Sequence, residues 1–192
     1  VNIAIIDGHP DPKGGHFCHA LAEAYADGAR DAGHEVRRID VARLEFPILQ
    51  SAAEFETGPV AQDILVAQDA ISWARHLVIV YPLWHGTMPA LLKAFFEQCL
   101  RPGFAFEPAT NKWPRGRLKG RSARIVVTMG MPALVYRWYF GAHSLKSLER
   151  NILRFCGIRP IRESIFGMVE AASIGRRKRW LAKMTALGRA SR

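Results

Sequence analysis

The chain has 192 residues, 49% of them hydrophobic, and a formal net charge of +10 from 27 Lys and Arg against 17 Asp and Glu, which suits one domain with its own core. Its three cysteines, Cys18, Cys99 and Cys156, are odd in number, far apart and outside any C-x-x-C spacing, which excludes a disulfide framework and a cysteine-based zinc site. The apolar runs fall far short of the roughly 20 residues needed to cross a bilayer, and no basic segment precedes the first of them, so a soluble cytoplasmic protein is expected. The chain begins at Val1 without Met, and the loss of at least one residue before it is also expected.

The first strand is expected over Val1 to Ile6. It leads into DGHPDPKGGHFCHAL, residues 7 to 21, and a helix over 17 to 31. A strand, a loop bearing Gly14-Gly15 and a helix starting near His16 or Phe17 place free amides and a positive helix end around an anion. Neither G-x-G-x-x-G nor G-x-x-x-x-G-K-[ST] is present, so this is neither a dinucleotide fingerprint nor a Walker loop. A plain strand-to-helix connection reads equally well from this stretch alone. His9 with Asp11 is too sparse for a metal site.

A second strand is expected over Glu35 to Asp40, then a stretch without clear period from 42 to 59 and a helix over 60 to 75. The third strand, Leu77 to Tyr81, runs into YPLWHGTMPALLKAFFEQ. Pro82 removes a ladder donor, Thr87 is a candidate cap and Pro89 suits a first helical turn. The helix over 89 to 100 is expected to bury Leu91, Leu92, Phe95, Phe96 and Cys99, leaving Lys93, Glu97 and Gln98 in water. Between strand and helix, Trp84 and His85 fit beside a planar aromatic ligand, although Trp84 is equally readable as core.

Residues 101 to 120 again lack a period, and loops of such length are often functional. The fourth strand, Ala123 to Thr128, opens into TMGMPALVYRWYFGAH, where Tyr136, Trp138, Tyr139, Phe140 and His143 crowd together as packing or as a contact surface. A helix over 143 to 155 puts Leu145, Leu148, Ile152 and Phe155 on one stripe, with Gly157 as its C-terminal cap. A fifth strand is expected over Pro160 to Val169 and a last helix after 172. Strands alternating with helices imply a single three-layer α/β domain, a five-stranded parallel sheet with helices on both faces. Ligands in such sheets bind at the carboxyl ends of the strands. The basic excess gathers at 112 to 124 and at 176 to 192, the latter a helix or tail with Trp180, Met184 and Leu187 on one stripe. It suits an anionic partner, but no nucleic-acid-binding module accompanies it.

These loops together resemble the NAD(P)H:quinone reductase family. The resemblance rests on HPDPKGGHFCHAL, YPLWHGTMPALLKAFFEQCLRPGFAFE, LKGRSARIVVTMG and GAHSLKSLERNILRFCG, and spans roughly residues 2 to 170. It implies a flavodoxin-like fold and a flavoenzyme that moves hydride from NAD(P)H through flavin to a quinone or similar acceptor by ping-pong kinetics. The cofactor it implies is FAD, with FMN as the alternative. It assigns His9, Gly15, His16, Phe17 and Cys18 to the flavin phosphates. Pro82, Leu83, Trp84 and His85 go to the ring wall, and Thr128, Met129, Gly130 and Met131 to the ring's polar edge. Tyr136 and His143, the latter after one inserted residue, are assigned to proton handling over the flavin, and no metal is implied. Family members are homodimers, for which Phe104-Ala105-Phe106 and Phe95-Phe96 are the expected surface. Gly15, His16 and Cys18 replace the small hydroxyl residues and asparagine common in relatives. Gly86 stands where an aromatic is common, and Met131 where a second glycine is. Rival readings are a flavodoxin-type electron carrier and a regulatory or membrane-docking subunit of an ion-efflux system using the basic C-terminus.

Overall fold

The structure, a computed structural model, describes residues 1–108 and 114–192. Five parallel strands, β1 (Asn2–Asp7), β2 (Glu35–Asp40), β3 (His76–Pro82), β4 (Ser122–Met129) and β5 (Ile161–Gly167), stand in the order β2-β1-β3-β4-β5. This is the order that the resemblance implies, and it puts a change of winding direction between β1 and β3. The V/I/L runs form the buried central strands because both faces are covered. Ile3, Ile5, Val78, Val80 and Val126 point into one apolar layer, and Ala4, Ile6, Leu77, Ile79, Ile125 and Val127 into the other.

Helices α1 (Phe17–Asp31) and α7 (Ile174–Arg189) cover the first layer. They meet through glycines: a β-carbon at Gly28 would overlap the Thr185 carbonyl, and one at Gly188 the Tyr25 carbonyl. The C-terminal stripe therefore faces its own core, with Met184 fully buried and Trp180 and Leu187 packed beside it. On the opposite face lie α3 (Gln62–Trp73), α4 (Ala90–Cys99) and the segment from α6 (His143–Ser147) onward. Among the described residues no helix is long and apolar enough to cross a membrane.

Several expectations need correction. The stretch 42 to 59 holds a short helix, α2 (Ala52–Thr57), whose N-cap Ser51 accepts from the Glu54 amide at 3.1 Å. Buried Arg101 grips its far end by donating to the carbonyls of Glu54, Phe55, Gly58 and Pro59. A second short helix, α5 (Ala133–Trp138), occupies the aromatic stretch. Beyond Ser147 the helix widens to a π-helical run, Leu148–Arg154. The wider turn shifts the stripe, so Leu153 is buried while Ile152 and Phe155 are only partly covered. Gly157 ends the run at φ +96°, as expected. Gln98 is buried, with its side chain donating to the Pro47 carbonyl at 2.7 Å. Phe95, Phe96 and Ala105 lie in the chain's own core and offer no surface to a partner. Within the stretch 101 to 120, residues 109–113 lie outside the described residues.

At the amino-terminal edge of the sheet, His76 is buried, its Nδ1 2.7 Å from Ser122 Oγ and its ring stacked on Tyr25. Burial, with Arg124 and Arg162 adding to it, lowers its pKa to about 4. The unfolded ring takes a proton near 6.5 and the folded one does not, so this contribution to stability is intact above pH 6.5 and lost as pH falls toward 4. Urea unfolding at pH 7.5 and at pH 5 should show a loss of about 2 kcal/mol from this residue. A His76→Gln variant should show a correspondingly flatter dependence.

Candidate active site

At the carboxyl end of β1 the chain passes Gly8 and enters a loop that three imidazoles and two carboxylates hold in shape. Asp7, its side chain 1% exposed, accepts from His19 Nδ1 at 2.6 Å, from Arg38 Nη2 at 3.1 Å and from the His9 amide at 3.2 Å. Asp11 accepts from the Lys13 amide at 2.9 Å and from His16 Nε2 at 2.8 Å. These two contacts, the amide first, hold the Asp11 carboxyl below its usual range. The rings of His9 and His16 stack with centroids 3.9 Å apart, and His19 lies 5.1 Å from His9. His9 Nδ1 accepts from the Asp11 amide at 3.2 Å, which leaves Nε2 to carry the proton of a neutral ring. Burial and the neighbouring imidazoles lower the His9 pKa, in keeping with a neutral donor.

Helix α1 begins directly after this loop, and its N-cap His16 makes no side-chain bond to the first turn. The first-turn amides are open donors at the positive end of the helix. They border a cleft of about 480 Å³, within the range of small-molecule sites, about 300–1,000 Å³. Its anion-facing part is formed by His9, Gly15, His16, Phe17 and Cys18, and its other wall by Pro82, Trp84, Thr128 and Val169. Cys18 is a buried thiol 3.1 Å from Thr128 Oγ1, and burial pushes it up to about 12. It packs the floor of the cleft and is no nucleophile.

The knot after β3 is a tight hairpin. Trp84 and Thr87 exchange backbone hydrogen bonds of 2.8 and 2.9 Å, and His85 and Gly86 between them have φ of +47° and +77°. Two left-handed residues in a two-residue loop are the pattern of a type I′ turn, which favours Gly at such positions. Gly86 thus answers a backbone requirement. Thr87 closes the hairpin and does not cap α4, whose N-cap is Pro89. The turn leaves Trp84 49% exposed at the cleft and His85 exposed at its tip.

The remaining candidates divide. Leu83 is half-buried and its amide donates to the Thr128 carbonyl at 2.7 Å. Met129 is buried in the core, Met131 packs partly against it, and Gly130 faces the Glu170 carboxylate. Tyr136 is 1% exposed: its hydroxyl lies 2.8 Å from Ser144 Oγ and accepts from the Leu145 amide at 3.3 Å. It ties α5 to α6 and is not among the cleft residues, and neither is exposed His143, whose ring covers Gly141.

Asp7, His19, Arg38, Glu170 and Arg177 were not singled out in the sequence. His19 sits in the first turn of α1, three residues after the N-cap His16, a spacing that could have marked it. Arg177 was hidden in a basic run, and nothing in a charge run tells which member folds toward a cleft. Among the described residues no group of three or more His, Cys, Asp or Glu is arranged to hold a metal ion.

A family profile described as having a flavodoxin-like fold matches residues 1–186. A Haemophilus influenzae protein named as an uncharacterized NAD(P)H oxidoreductase is 28% identical, the match covering 97% of this chain and 98% of its own length. The NAD(P)H dehydrogenase [quinone] 1 of Rattus norvegicus is 25% identical over 76% of this chain, and the chain spans 61% of that relative's length. The solved NAD(P)H:quinone oxidoreductase from Methanothermobacter marburgensis superposes with a TM-score of 0.82 at 25% identity, covering 97% of this chain and 96% of that one. The FMN-dependent NADH-azoreductase from Bacillus anthracis, solved with FMN, shares the fold at a TM-score of 0.77 and 15% identity, with 98% and 97% covered.

All three cysteines are buried and unpaired, and burial raises the thiols of Cys18 and Cys156 to about 12 and that of Cys99 further. Native protein at pH 8 should therefore take up no iodoacetamide over the time in which urea-unfolded protein is labelled at all three, as mass spectrometry of the intact chain would show.

Proposed function

Because the chain belongs to the family with the flavodoxin-like fold, we propose that it is a flavin-dependent oxidoreductase that takes electrons from NAD(P)H and delivers them to a quinone or a similar small aromatic acceptor. One observation carries the reading: a single cleft joins an open helix N-terminus and imidazoles at one end to an exposed indole and Pro82 at the other. A phosphate suits the first and a flat ring system the second. The names borne by the Haemophilus, rat and Methanothermobacter proteins support the same donor class, and those of the rat and Methanothermobacter proteins the same acceptor class.

The proposed cofactor is FAD. Its support is a second cleft, beside Ala20, Glu23 and Arg38, that shares Gly15, His16, Phe17 and Arg177 with the first, so that a molecule with two phosphates and a second ring system has continuous room. FMN is the alternative, favoured by the FMN-bound azoreductase of similar fold. When bound, the flavin would supply hydride acceptance from the nicotinamide and its return to the acceptor, the two substrates using one pocket in turn.

The chain's own part is binding, orientation and proton supply. His9 Nε2 and the α1 amides hold the phosphate, and Trp84, fixed by its turn, walls the ring. Tyr136 and His143 divide the role that the resemblance gives them jointly. Tyr136, locked to Ser144 and Leu145, positions the head of α6. His143, exposed at that head and outside the residues that line the cleft, keeps the proton-handling role that the resemblance assigns to it. The three free thiols fit a cytoplasmic setting. A homodimer belongs to the same proposal, with the exposed Leu134, Trp138, Tyr139 and Phe140 of the α5 segment as its contact in place of the buried Phe95-Phe96 pair.

Purified protein given FAD or FMN should bind one of them, identified by chromatography after release, and should oxidise NADH or NADPH with menadione in parallel-line initial-rate plots. Protein that neither binds flavin nor consumes nicotinamide sinks the reading. His143→Ala should slow acceptor reduction roughly 10²- to 10⁴-fold. Tyr136→Phe should instead cost about 1 kcal/mol of stability with a smaller effect on rate; unchanged rates in His143→Ala would remove that residue from the chemistry.

A further inference from the structure

The described members of the basic run at 112 to 124 line neither cleft. The fold takes them to the opposite end of the sheet. Arg121 lies directly before β4, just as Arg75 lies directly before β3 and Arg159 shortly before β5. The three strands are parallel, so arginines far apart in the chain meet along the amino-terminal edge. Main-chain bonds fix the row: the Arg75 carbonyl accepts from the Ser122 amide at 3.0 Å, and the Arg121 carbonyl from the Arg159 amide at 2.9 Å. Lys119 joins it beside Gly157, and the Arg75 guanidinium lies beside Gly120.

Like charges gathered in this way repel one another. The half-buried Arg121 side chain is held by the carbonyls of Ile71, at 3.0 Å, and Ser72, at 2.6 Å, to which it donates. Burial, and then the charge of Arg75, lower its pKa. Arg75, Lys119 and Arg159 are exposed. Elsewhere on the surface Arg30, Arg37, Arg154 and Arg189 pair with carboxylates; among the described residues none of these four cations does. A row of fixed, unneutralised cations suits a partner that brings many negative charges at once. A single strand of nucleic acid would want aromatic platforms and a duplex a helix or ribbon for its groove. The row offers short loops, and the neighbouring Trp73 is partly buried with the Arg37 guanidinium 4.3 Å over its ring. Lipid headgroups require neither platform nor groove.

We propose that the amino-terminal edge of the sheet is a docking surface for an anionic phospholipid bilayer, with Arg75, Lys119, Arg121 and Arg159 as its cations. The cleft opens at the carboxyl ends of the same strands, so a protein held by this edge keeps its cleft open to ligands while it rests on the membrane. Near such a bilayer each Lys or Arg strengthens binding roughly fivefold.

Sedimentation with vesicles of phosphatidylcholine alone, and of phosphatidylcholine mixed with phosphatidylserine, tests the proposal. Wild-type protein should pellet only with the mixed vesicles, and added salt should release it. Arg75→Gln, Lys119→Gln and Arg159→Gln combined should weaken this binding roughly 100-fold. Arg75→Lys with Arg159→Lys keeps the charge and should match the wild type. Lys146→Gln, Lys178→Gln and Arg179→Gln combined remove the same charge from exposed positions on α6 and α7, away from the row, and should cost no more than about threefold. The proposal fails if the wild type ignores the mixed vesicles, if the first triple variant binds them as the wild type does, or if the second loses as much as the first. It fails too if a single-stranded oligonucleotide displaces the protein at phosphate concentrations below that of the lipid, which would make the row a nucleic-acid surface.

Discussion

Everything at the carboxyl edge of the sheet around the β1 loop depends on one buried carboxylate. Asp7 ends β1, and its oxygens meet the imidazole of His19 on α1, the guanidinium of Arg38 on β2 and the amide of His9 in the loop between. Three elements that the sheet alone would leave independent are thereby fixed against one another. A carboxylate with 1% of its side chain exposed has given up most of its hydration, which only paired charges and donated hydrogen bonds can offset. Removing Arg38 or His19 would return part of that desolvation cost, and the loop they hold would lose its reference point. His19 also reaches the Asp11 carbonyl at 3.2 Å, so the ring that anchors the loop to the strand braces its far side too.

The electrostatics of the cleft follow from this arrangement. Negative charge is sunk beneath the loop on Asp7, and the upper surface presents stacked imidazoles, open amides and Arg177. Asp11 and Glu170 remain among the cleft residues as acceptors. An anion with hydroxyl groups attached to it, as a sugar or polyol phosphate has, meets both kinds of partner. A chain with net charge +10 also carries a long-range field that attracts anions.

The sheet was legible in the sequence because strands covered on both faces must be largely apolar, and the runs IAII, LVIV and IVV leave little choice. Sheet geometry also brings the loops after β1 and β3 and Thr128 at the end of β4 to one cleft, where their positions after those strands led one to expect them. What escaped has local causes. The π-helical run at Leu148–Arg154 conserves a helical pattern in letters while shifting which residue faces inward. Helix α2 exposes almost everything it has and is held by Arg101 from a distant turn, a tertiary contact without a local signal. The direction of the Tyr136 hydroxyl depends on Ser144 and on the fold of α5, neither of which the spacing encodes. Residues 109–113, part of a stretch expected to be functional, lie outside the described residues.

The hairpin at Trp84 to Thr87 separates two properties that usually travel together in a binding loop. Its shape is set by main-chain bonds and by the left-handed residues His85 and Gly86; its chemistry is set by the indole before them. The tip can therefore vary in evolution among residues that tolerate positive φ, such as Asn, Asp or Gly, without moving the wall. For a designer this marks His85 as a diversification point: a library confined to left-handed-tolerant residues would sample the mouth of the cleft while the platform beneath it stays constant.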